Sequence, residues 1–191
     1  MEYAAIKVAF NAIAPVEESI WNEFEQFFST RTLKKSDFLW KSGDVCKHVV
    51  FLNTGLIRMF NDQDEKESSI NFFFENKILA DYYSFTTQSP CNVAYQAIEE
   101  CELVMIPRAA LYMFYDKYPI FDRIGRLIAE MNFILLFDGK RNQHNFSPEE
   151  KYLKIIRERP KVMERVPLKY IASYLGMTPE HLSRIRKNIS K

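Results

Sequence analysis

The C-terminal stretch VPLKYIASYLGMTPEHLSRIRKNIS, Val166–Ser190, predicts two short helices joined by a tight turn. The first helix is expected from about Pro167 to Leu175, and the second begins at Pro179. Residues 176–178 between them are Gly-Met-Thr. Glycine suits the C-terminus of a helix, threonine caps the N-terminus of the next helix, and proline fits a first helical turn. This is the pattern of a helix-turn-helix.

Apolar residues recur at helical spacing in both predicted helices. Ile171, Ala172 and Leu175 fall on one face of the first helix, and Leu182 and Ile185 fall on one face of the second. Ala172 is small enough to let the two helices cross closely. We therefore expect these faces to pack together and to leave the other side of the second helix exposed.

The exposed side of the second helix carries polar and cationic groups. The candidate DNA-binding residues are Thr178, Pro179, Glu180, His181, Ser183, Arg184 and Lys187, together with Lys169 from the first helix. A helix whose outer side offers hydrogen bonds and positive charge can enter a major groove. The alternative is an ordinary antiparallel helix pair with a solvated outer face. The glycine, the Thr-Pro pair and the small crossing residue together favour DNA binding.

Charge is distributed unevenly along the chain. From Gly139 to Lys191 there are 13 lysines and arginines against 5 acidic residues, although the whole chain has a net charge of +1. Neutralisation of phosphates by such residues supplies most of the non-specific affinity for nucleic acid. A basic solvated surface would give the same count, so charge supports DNA binding only beside the helix-turn-helix.

Composition excludes several other classes of protein. A chain of 191 residues with 47% hydrophobic residues can bury a sizeable core. No apolar run approaches the ~20 residues of a membrane-spanning helix, and the N-terminus lacks the features of a signal peptide. We therefore expect a cytoplasmic protein without membrane contact. Cys46, Cys91 and Cys101 form no metal-binding pattern, which predicts reduced structural thiols and no metal site.

Enzymatic activity is not expected. The histidines His48, His144 and His181 have no partners in a Ser/His/Asp or metal motif, and the sequence has no phosphate-binding loop. No cofactor is predicted.

The N-terminal part of the sequence mixes helix and strand patterns, which predicts an α+β fold. One helix is expected from about Pro15 to Ser29. Six runs rich in Val, Ile and Phe then predict short strands: Asp37–Trp40, Val49–Leu52, Leu56–Phe60, Ser68–Phe74, Val93–Ile98 and Leu103–Ile106. So many short strands close together indicate a β-sandwich or a closed, jelly-roll-like β-roll.

The pattern becomes helical after Pro107. A short helix is expected over Ala109–Asp116 and a long one from Ile120 to about Gly139. The apolar residues of the long helix recur at alternating spacings of three and four, at Phe121, Ile124, Ile128, Met131 and Leu135. This spacing favours pairing with a second copy of the chain. Packing on the β-roll is the alternative, and the width of the apolar face allows both.

A capping box, Ser-Pro-Glu-Glu at 147–150, predicts a further helix beginning near residue 148. Residues 140–145 and Pro160–Arg165 are expected to be links. The predicted domains are therefore an N-terminal sensor-like β-roll at 1–117, a dimerisation helix at 118–139 and a helix-turn-helix domain at 140–191.

This order of elements resembles the Crp/Fnr family of bacterial transcription regulators over essentially the whole chain. Three stretches carry the resemblance: Gly55 after the strand Val49–Leu52, the segment Ala97–Cys101, and the C-terminal IASYLGMTPEHLSRIRK. The resemblance implies a cyclic-nucleotide-binding-like roll and a homodimer that binds double-stranded DNA. It also implies a small-molecule effector, with RNA polymerase as a further partner. A sensor or adaptor that acts through protein partners is the alternative function.

In nucleotide-binding members of the family, a Gly-Glu pair meets the ribose and an Arg-Ser pair ten residues later holds the phosphate. The corresponding pairs in this sequence are Ala80-Asp81 and Cys91-Asn92, so the arginine is missing. A buried phosphate without a guanidinium partner is unfavourable, and we expect that cyclic AMP is not a tight ligand. The candidate effector-pocket residues are Asp81, Tyr82, Tyr83, Cys91 and Asn92; a filled core at these positions is the favoured alternative.

Other members of the family sense their signals with an iron–sulfur cluster or with haem. Iron–sulfur members carry cysteines near the N-terminus, whereas Cys46 is the first cysteine here, and His48 alone does not indicate haem.

Family members commonly follow the recognition helix with a β-hairpin wing, and we expect none here. The family's base-reading positions correspond to Pro179, Glu180 and Arg184. Because the proline side chain cannot hydrogen-bond a base, we expect a different half-site.

Overall fold

The computed structural model describes residues 3–62, 67–143 and 146–189, with the backbone alone for residues 138–143. The helices are α1 (Ala4–Ile13), α2 (Glu18–Phe24), α3 (Tyr82–Thr87), α4 (Arg108–Lys117), α5 (Pro119–Gln143), α6 (Pro148–Glu158), α7 (Pro160–Arg165), α8 (Leu168–Tyr174) and α9 (Pro179–Ile189). The strands are β1 (Ser29–Leu33), β2 (Phe38–Trp40), β3 (His48–Thr54), β4 (Leu56–Asn61), β5 (Ser68–Phe74), β6 (Lys77–Leu79), β7 (Ala94–Ala97) and β8 (Cys101–Pro107).

The strands form a β-roll of two four-stranded antiparallel sheets. The first sheet has the order β1-β8-β3-β6 and the second has the order β2-β7-β4-β5. Gly55 makes the tight turn between β3 and β4 with a φ of 100°, and a Cβ there would lie 2.4 Å from the carbonyl oxygen of Glu100. Only glycine fits this turn. The predicted α+β fold with a jelly-roll-like β-roll is confirmed.

Helices α1, α2, α4 and α5 pack on the roll through a cluster of aromatic rings. The rings of Phe24, Phe114 and Phe121 are all completely buried. The centroid of Phe24 lies 4.5 Å from that of Phe121 and 4.7 Å from that of Phe114, and the rings are inclined to one another. Edge contacts of this kind add to the free energy gained by burying the rings.

The long helix α5 has two different halves. In the N-terminal half Phe121 and Ile124 are buried against the roll. From residue 131 onward the large apolar side chains are more than half exposed, namely Met131, Phe133, Ile134, Leu135, Leu136 and Phe137. We call this set the distal α5 face. The apolar residues predicted for this helix therefore pack on the roll only in its first half.

Helices α6 to α9 form a bundle whose core continues into the second sheet. Leu182 and Ile185 of α9 are buried together with Ile171 and Ala172 of α8, as their spacing predicted. The same apolar cluster contains Leu56, Phe72 and Ile98 from the outer face of the second sheet. The bundle is therefore packed directly on the roll.

Several local predictions were wrong. The helix predicted over residues 15–29 is shorter, because α2 ends at Phe24 and is followed by a 3₁₀ turn and by β1. The two predicted links are partly helical: α5 continues to Gln143, and Pro160–Arg165 is helix α7, in which Pro160 occupies the first helical position. Helices α1 and α3 and strands β1 and β6 were not predicted. No helix in the described part of the chain is long and apolar enough to cross a membrane.

Candidate nucleic-acid interface and effector region

The turn between α8 and α9 has the hydrogen bonds of a Schellman motif. The Met177 amide donates to the Ala172 carbonyl at 3.0 Å, and the Gly176 amide donates to the Ser173 carbonyl at 3.1 Å. Gly176 has a φ of 70°, the left-handed conformation that this motif requires. The turn fixes the direction in which α9 leaves α8.

Thr178 caps the N-terminus of α9. Its hydroxyl oxygen accepts from the His181 amide at 3.3 Å, and its carbonyl accepts from the Leu182 amide at 3.0 Å. Hydrogen bonds from the backbone amide of Glu180 and from the Thr178 hydroxyl lower the pKa of the Glu180 carboxyl. This side chain is therefore an anionic acceptor at neutral pH.

The inner and outer sides of α9 differ completely in burial. Leu182 and Ile185 are buried on the inner side. The predicted DNA-binding residues Thr178, Pro179, Glu180, Ser183, Arg184 and Lys187 are all exposed, while His181 is half-buried. Lys169 is exposed on α8, and its ammonium nitrogen lies 4.7 Å from the centre of the Tyr170 ring. The structure thus leaves one polar, cation-bearing side of α9 open to solvent.

Polar contacts between the roll and the helical bundle fix where α9 is presented. Arg58 is 1% exposed, and its guanidinium lies between the rings of Phe60 and Tyr170, at 4.1 and 3.9 Å from their centres. The Arg58 Nε also donates to the Ser69 hydroxyl at 2.9 Å. A buried guanidinium satisfied in this way ties α8 to the second sheet.

Arg165 of α7 makes a second connection to the roll. Its guanidinium donates to Glu99 at 2.6 Å, to Glu75 at 2.8 Å and to the Gly55 carbonyl at 3.2 Å. Lys161 also donates to Glu75, at 2.6 Å. Hydrogen bonds from Lys161 and Arg165 lower the pKa of Glu75 to about 2. No local sequence pattern predicted these contacts, because the partners lie between 66 and 110 residues apart in the chain.

Asp81 and Cys91 occupy structural positions. The Asp81 carboxylate caps α3 by accepting from the Ser84 amide at 3.0 Å. The backbone of Cys91 pairs with that of Gly43 and Asp44, and its side chain is buried. Tyr82, Tyr83 and Asn92 are exposed.

The three thiols are buried and have raised pKa values. Burial raises the pKa of Cys46 to about 12, and it also raises the pKa values of Cys91 and Cys101. All three therefore remain protonated at neutral pH, which is the state of inert structural cysteines. Among the described residues, no group of His, Cys, Asp and Glu side chains could hold a metal ion.

A cavity of about 270 Å³ opens between α3, α4 and the N-terminal half of α5. Of the five predicted pocket residues, Tyr82 lines it and Asp81, Tyr83, Cys91 and Asn92 do not. Aromatic side chains make up much of its wall, namely Phe10, Tyr82, Phe85, Tyr112, Tyr115 and Phe121. The polar groups in the wall are few and include Thr86, Asp122, Arg126 and Asn132.

Comparisons with known proteins agree with this architecture. Residues 30–118 match the cyclic nucleotide-binding domain family. No curated protein matches the sequence closely enough to indicate a relationship. The segment 30–118 is therefore similar to cyclic nucleotide-binding domains.

Solved structures extend the similarity to the rest of the chain. The c-di-GMP responsive global regulator CLP from Xanthomonas campestris has a TM-score of 0.72 and 17% identity, over 91% of this chain and 92% of that one. FixK2 from Bradyrhizobium japonicum has a TM-score of 0.71 and 14% identity, over 85% and 84% of the two chains. A putative cyclic nucleotide binding protein from Ruegeria pomeroyi has a TM-score of 0.65 and 16% identity, over 100% and 88%. The chain thus shares the fold of these three proteins over 85–100% of its length.

Proposed function

We propose that this chain is a sequence-specific DNA-binding transcription regulator of the Crp/Fnr type. The observation that carries the proposal is the outer side of α9, where exposed Glu180, Arg184 and Lys187 stand on a helix whose inner side is completely buried. The helix is held rigidly by the Schellman turn and by the Thr178 cap. A rigid helix with one open polar side is suited to the major groove.

The side chains on this surface have distinct chemical roles in the proposal. The Arg184 guanidinium can clamp O6 and N7 of a guanine, and the ionised Glu180 carboxylate can accept from a cytosine amine. Ser183, Lys187 and Lys169 can hold phosphates, which position the protein without reading sequence. The excess of basic residues after residue 139 adds the non-specific attraction.

The proposed active form is a homodimer that pairs through the distal α5 face. This face presents consecutive large apolar side chains, of which Leu135 is 67% exposed and Leu136 is 69% exposed. Met131, Ile134 and Leu135 lie on one side of the helix, where a second copy of α5 can cover them by coiled-coil packing. Two subunits would place two copies of α9 about 34 Å apart on a near-palindromic site. RNA polymerase is a further proposed partner at this site.

Cyclic AMP is not proposed as a tight ligand. The position expected to hold an arginine is the buried Cys91, and Asp81 adds a carboxylate beside it. A phosphate placed there would lack its charge-assisted partner. Sub-micromolar binding of cyclic AMP in a calorimetric titration would contradict this part of the proposal.

The experiment for DNA binding is selection of duplexes from a random pool by the purified protein, followed by titration of the selected site. Arg184→Ala should weaken binding by ~1–3 kcal/mol and relax one base position, whereas Lys187→Ala should weaken all sequences alike and reduce the salt dependence. Arg184→Lys keeps the charge but loses the bidentate fork, so it should also relax the base position. Lys35→Ala, in an exposed turn of the roll, is the control. Unchanged operator binding by Arg184→Ala would contradict the assignment of α9.

The dimer is tested by sedimentation equilibrium. Leu135→Glu should shift the protein to a monomer and weaken operator binding, because a carboxylate is unfavourable in an apolar helix pair. Val8→Glu, at a position on α1 that is 69% exposed, is the matched control and should leave the mass unchanged. A wild-type protein that is monomeric at every accessible concentration would contradict the proposed dimer.

A further inference from the structure

The cavity between α3, α4 and α5 lies outside the roll, on the face of the first sheet that the helices cover. Val49 lines the cavity and shares one face of β3 with Phe51. Ile78, which also lines it, pairs with Phe51 in the sheet and so lies on the same face. Val50 and Leu52 are on the opposite face, between the two sheets, and are completely buried. The cavity is therefore separated from the space between the sheets by the first sheet itself.

The chemistry of the wall favours an uncharged, planar ligand. Aromatic rings make up much of the wall, and those of Tyr82, Tyr112 and Tyr115 are exposed or half-buried and can stack on a ligand. Asp122 and Arg126 contribute one charge of each sign, and the Arg126 guanidinium is already bound to Glu130 at 2.6 Å. Burial raises the pKa of Tyr115 to about 12, so this hydroxyl is neutral at physiological pH. Nothing in this wall provides the net positive charge that a phosphate or a carboxylate needs.

The aromatic walls are held in place by specific contacts. Arg108 donates to the Phe85 carbonyl at 2.8 Å, and its guanidinium lies 4.0 Å from the centre of the Tyr112 ring. On the other side, a Cβ at Gly125 would lie 2.9 Å from the Tyr115 ring. Glycine at this position therefore lets the Tyr115 ring lie directly against α5. These contacts fix the positions of the Phe85, Tyr112 and Tyr115 rings in the cavity wall.

We propose that this cavity is a binding site for a small, neutral aromatic molecule of about ten non-hydrogen atoms. A volume of about 270 Å³ corresponds to roughly nine water molecules at ~30 Å³ each, and it is close to the lower end of known ligand pockets. Ring stacking and release of these waters supply the affinity, and Thr86, Asn132 and the tyrosine hydroxyls orient one polar substituent. The role of this ligand as an effector acting through α5 rests on the proposed regulatory function; the binding itself does not.

Indole is a suitable probe because it is neutral, planar and of the right size. We expect saturable 1:1 binding to the full chain by calorimetry, with amide shifts in NMR spectra confined to α3, α4 and the first half of α5. Amide shifts at Trp40 and Tyr95 would place indole between the two sheets and would overturn the proposal. So would benzoate or cyclic AMP binding as tightly as indole, or absence of indole binding up to its solubility limit.

A filling substitution tests the location. Ala129 lines the cavity and is half-buried, so Ala129→Phe should weaken indole binding by about tenfold or more by occupying the space. Ala109→Phe makes the same change at an exposed position on α4 outside the cavity, and it should leave indole affinity within about twofold. Circular dichroism verifies that both variants fold. If Ala129→Phe does not fold, Thr86→Tyr at the exposed rim of the cavity is used in its place. Equal affinity in the filled variant and the control would overturn the proposal.

Binding to DNA is measured separately with the selected duplex, with and without indole. If indole binds in the cavity but the protein binds no duplex, the regulatory function fails and the binding site stands. If the duplex is bound but indole is not, the site fails and the regulatory function stands.

Discussion

The two sheets of the roll are covered on their outer faces by different kinds of contact. The first sheet is covered by α1, α2, α4 and α5 through aromatic rings such as Phe24, Phe114 and Phe121, and this contact leaves a cavity. The second sheet is covered by the helical bundle through a small apolar cluster and through the guanidinium groups of Arg58 and Arg165. Apolar contact depends little on salt and pH, whereas ionic contact depends on both. We therefore expect the attachment of the bundle to depend more on salt and pH than the attachment of α5.

The largest expected effect is on the aromatic side. Phe121→Ala removes a completely buried ring that packs on Phe24, and it should lower the free energy of unfolding by ~3–5 kcal/mol. Chemical denaturation at low and high salt measures the loss, which should be the same in both. Phe121→Leu should cost less because it keeps most of the volume. A loss for Phe121→Ala below that of the ionic variants would reverse the ranking of the two contacts.

Arg58→Ala tests the buried guanidinium of the bundle side and should cost about 2–3 kcal/mol, through lost stacking on Phe60 and Tyr170, the lost ion pair with Glu67 and an unpaired Ser69 hydroxyl. Arg58→Met keeps the bulk without the charge and should recover about half of the loss. Equal losses in both variants would show that charge, and not packing, carries the contact. Urea unfolding with tryptophan fluorescence gives both values.

Ser173→Ala removes a hydroxyl that joins α8 to β5. This hydroxyl accepts from the Ser69 amide at 2.9 Å and donates to the Glu67 carbonyl at 3.1 Å. Its loss leaves a backbone amide without a protein partner, and we expect a cost of ~1–2 kcal/mol. Hydrogen exchange should show faster exchange at the Ser69 amide. Ser183→Ala, on the exposed side of α9, is the control, and an equal cost there would contradict the role of Ser173.

Glu75→Gln should have the smallest effect, about 1 kcal/mol or less at neutral pH, because its ion pairs are partly exposed and screened. The folded-state pKa of about 2 is below the ordinary value of 4.5, so the carboxylate stabilises the fold above about pH 4.5. This contribution is lost as the pH falls from there towards 2. The difference in unfolding free energy between wild type and variant should therefore shrink over that range and at high salt. A difference independent of pH would exclude the ionic contact. Glu102→Gln, exposed on β8, is the control.

The sequence predicted elements with strong local signals and missed those formed by tertiary packing. The helix-turn-helix was predictable because Gly176, Thr178 and the Leu182 spacing all act within a few residues. Strand β1 was missed because four of its five residues are exposed and polar, so the sequence shows no alternation of apolar and polar residues there. Helix α3, YYSFTT, consists largely of residues that favour strands. Its helical form depends on the Asp81 cap, so tertiary context outweighs propensity there.

The candidate sites divide in the same way. The polar side of α9 follows from helical periodicity, and the structure exposes the residues expected there, apart from the half-buried His181. The cavity could not be predicted, because its wall combines α1, β3, α3, α4 and α5, and its position depends on how their side chains pack. The pairing of Arg58 with Tyr170 likewise joins residues far apart in the chain. Contacts of this kind leave no periodic signal in a single sequence.

The contact between α8 and β5 also bears on aggregation. Strand β5 is at the edge of the second sheet, where unpaired amides and carbonyls can template pairing with another chain. The Ser173 hydroxyl accepts a hydrogen bond from the Ser69 amide, and the Arg159 guanidinium donates one to the Phe72 carbonyl at 2.6 Å. The helical bundle therefore protects this edge, and a subunit whose bundle detached would expose a strand capable of joining the same strand of another subunit.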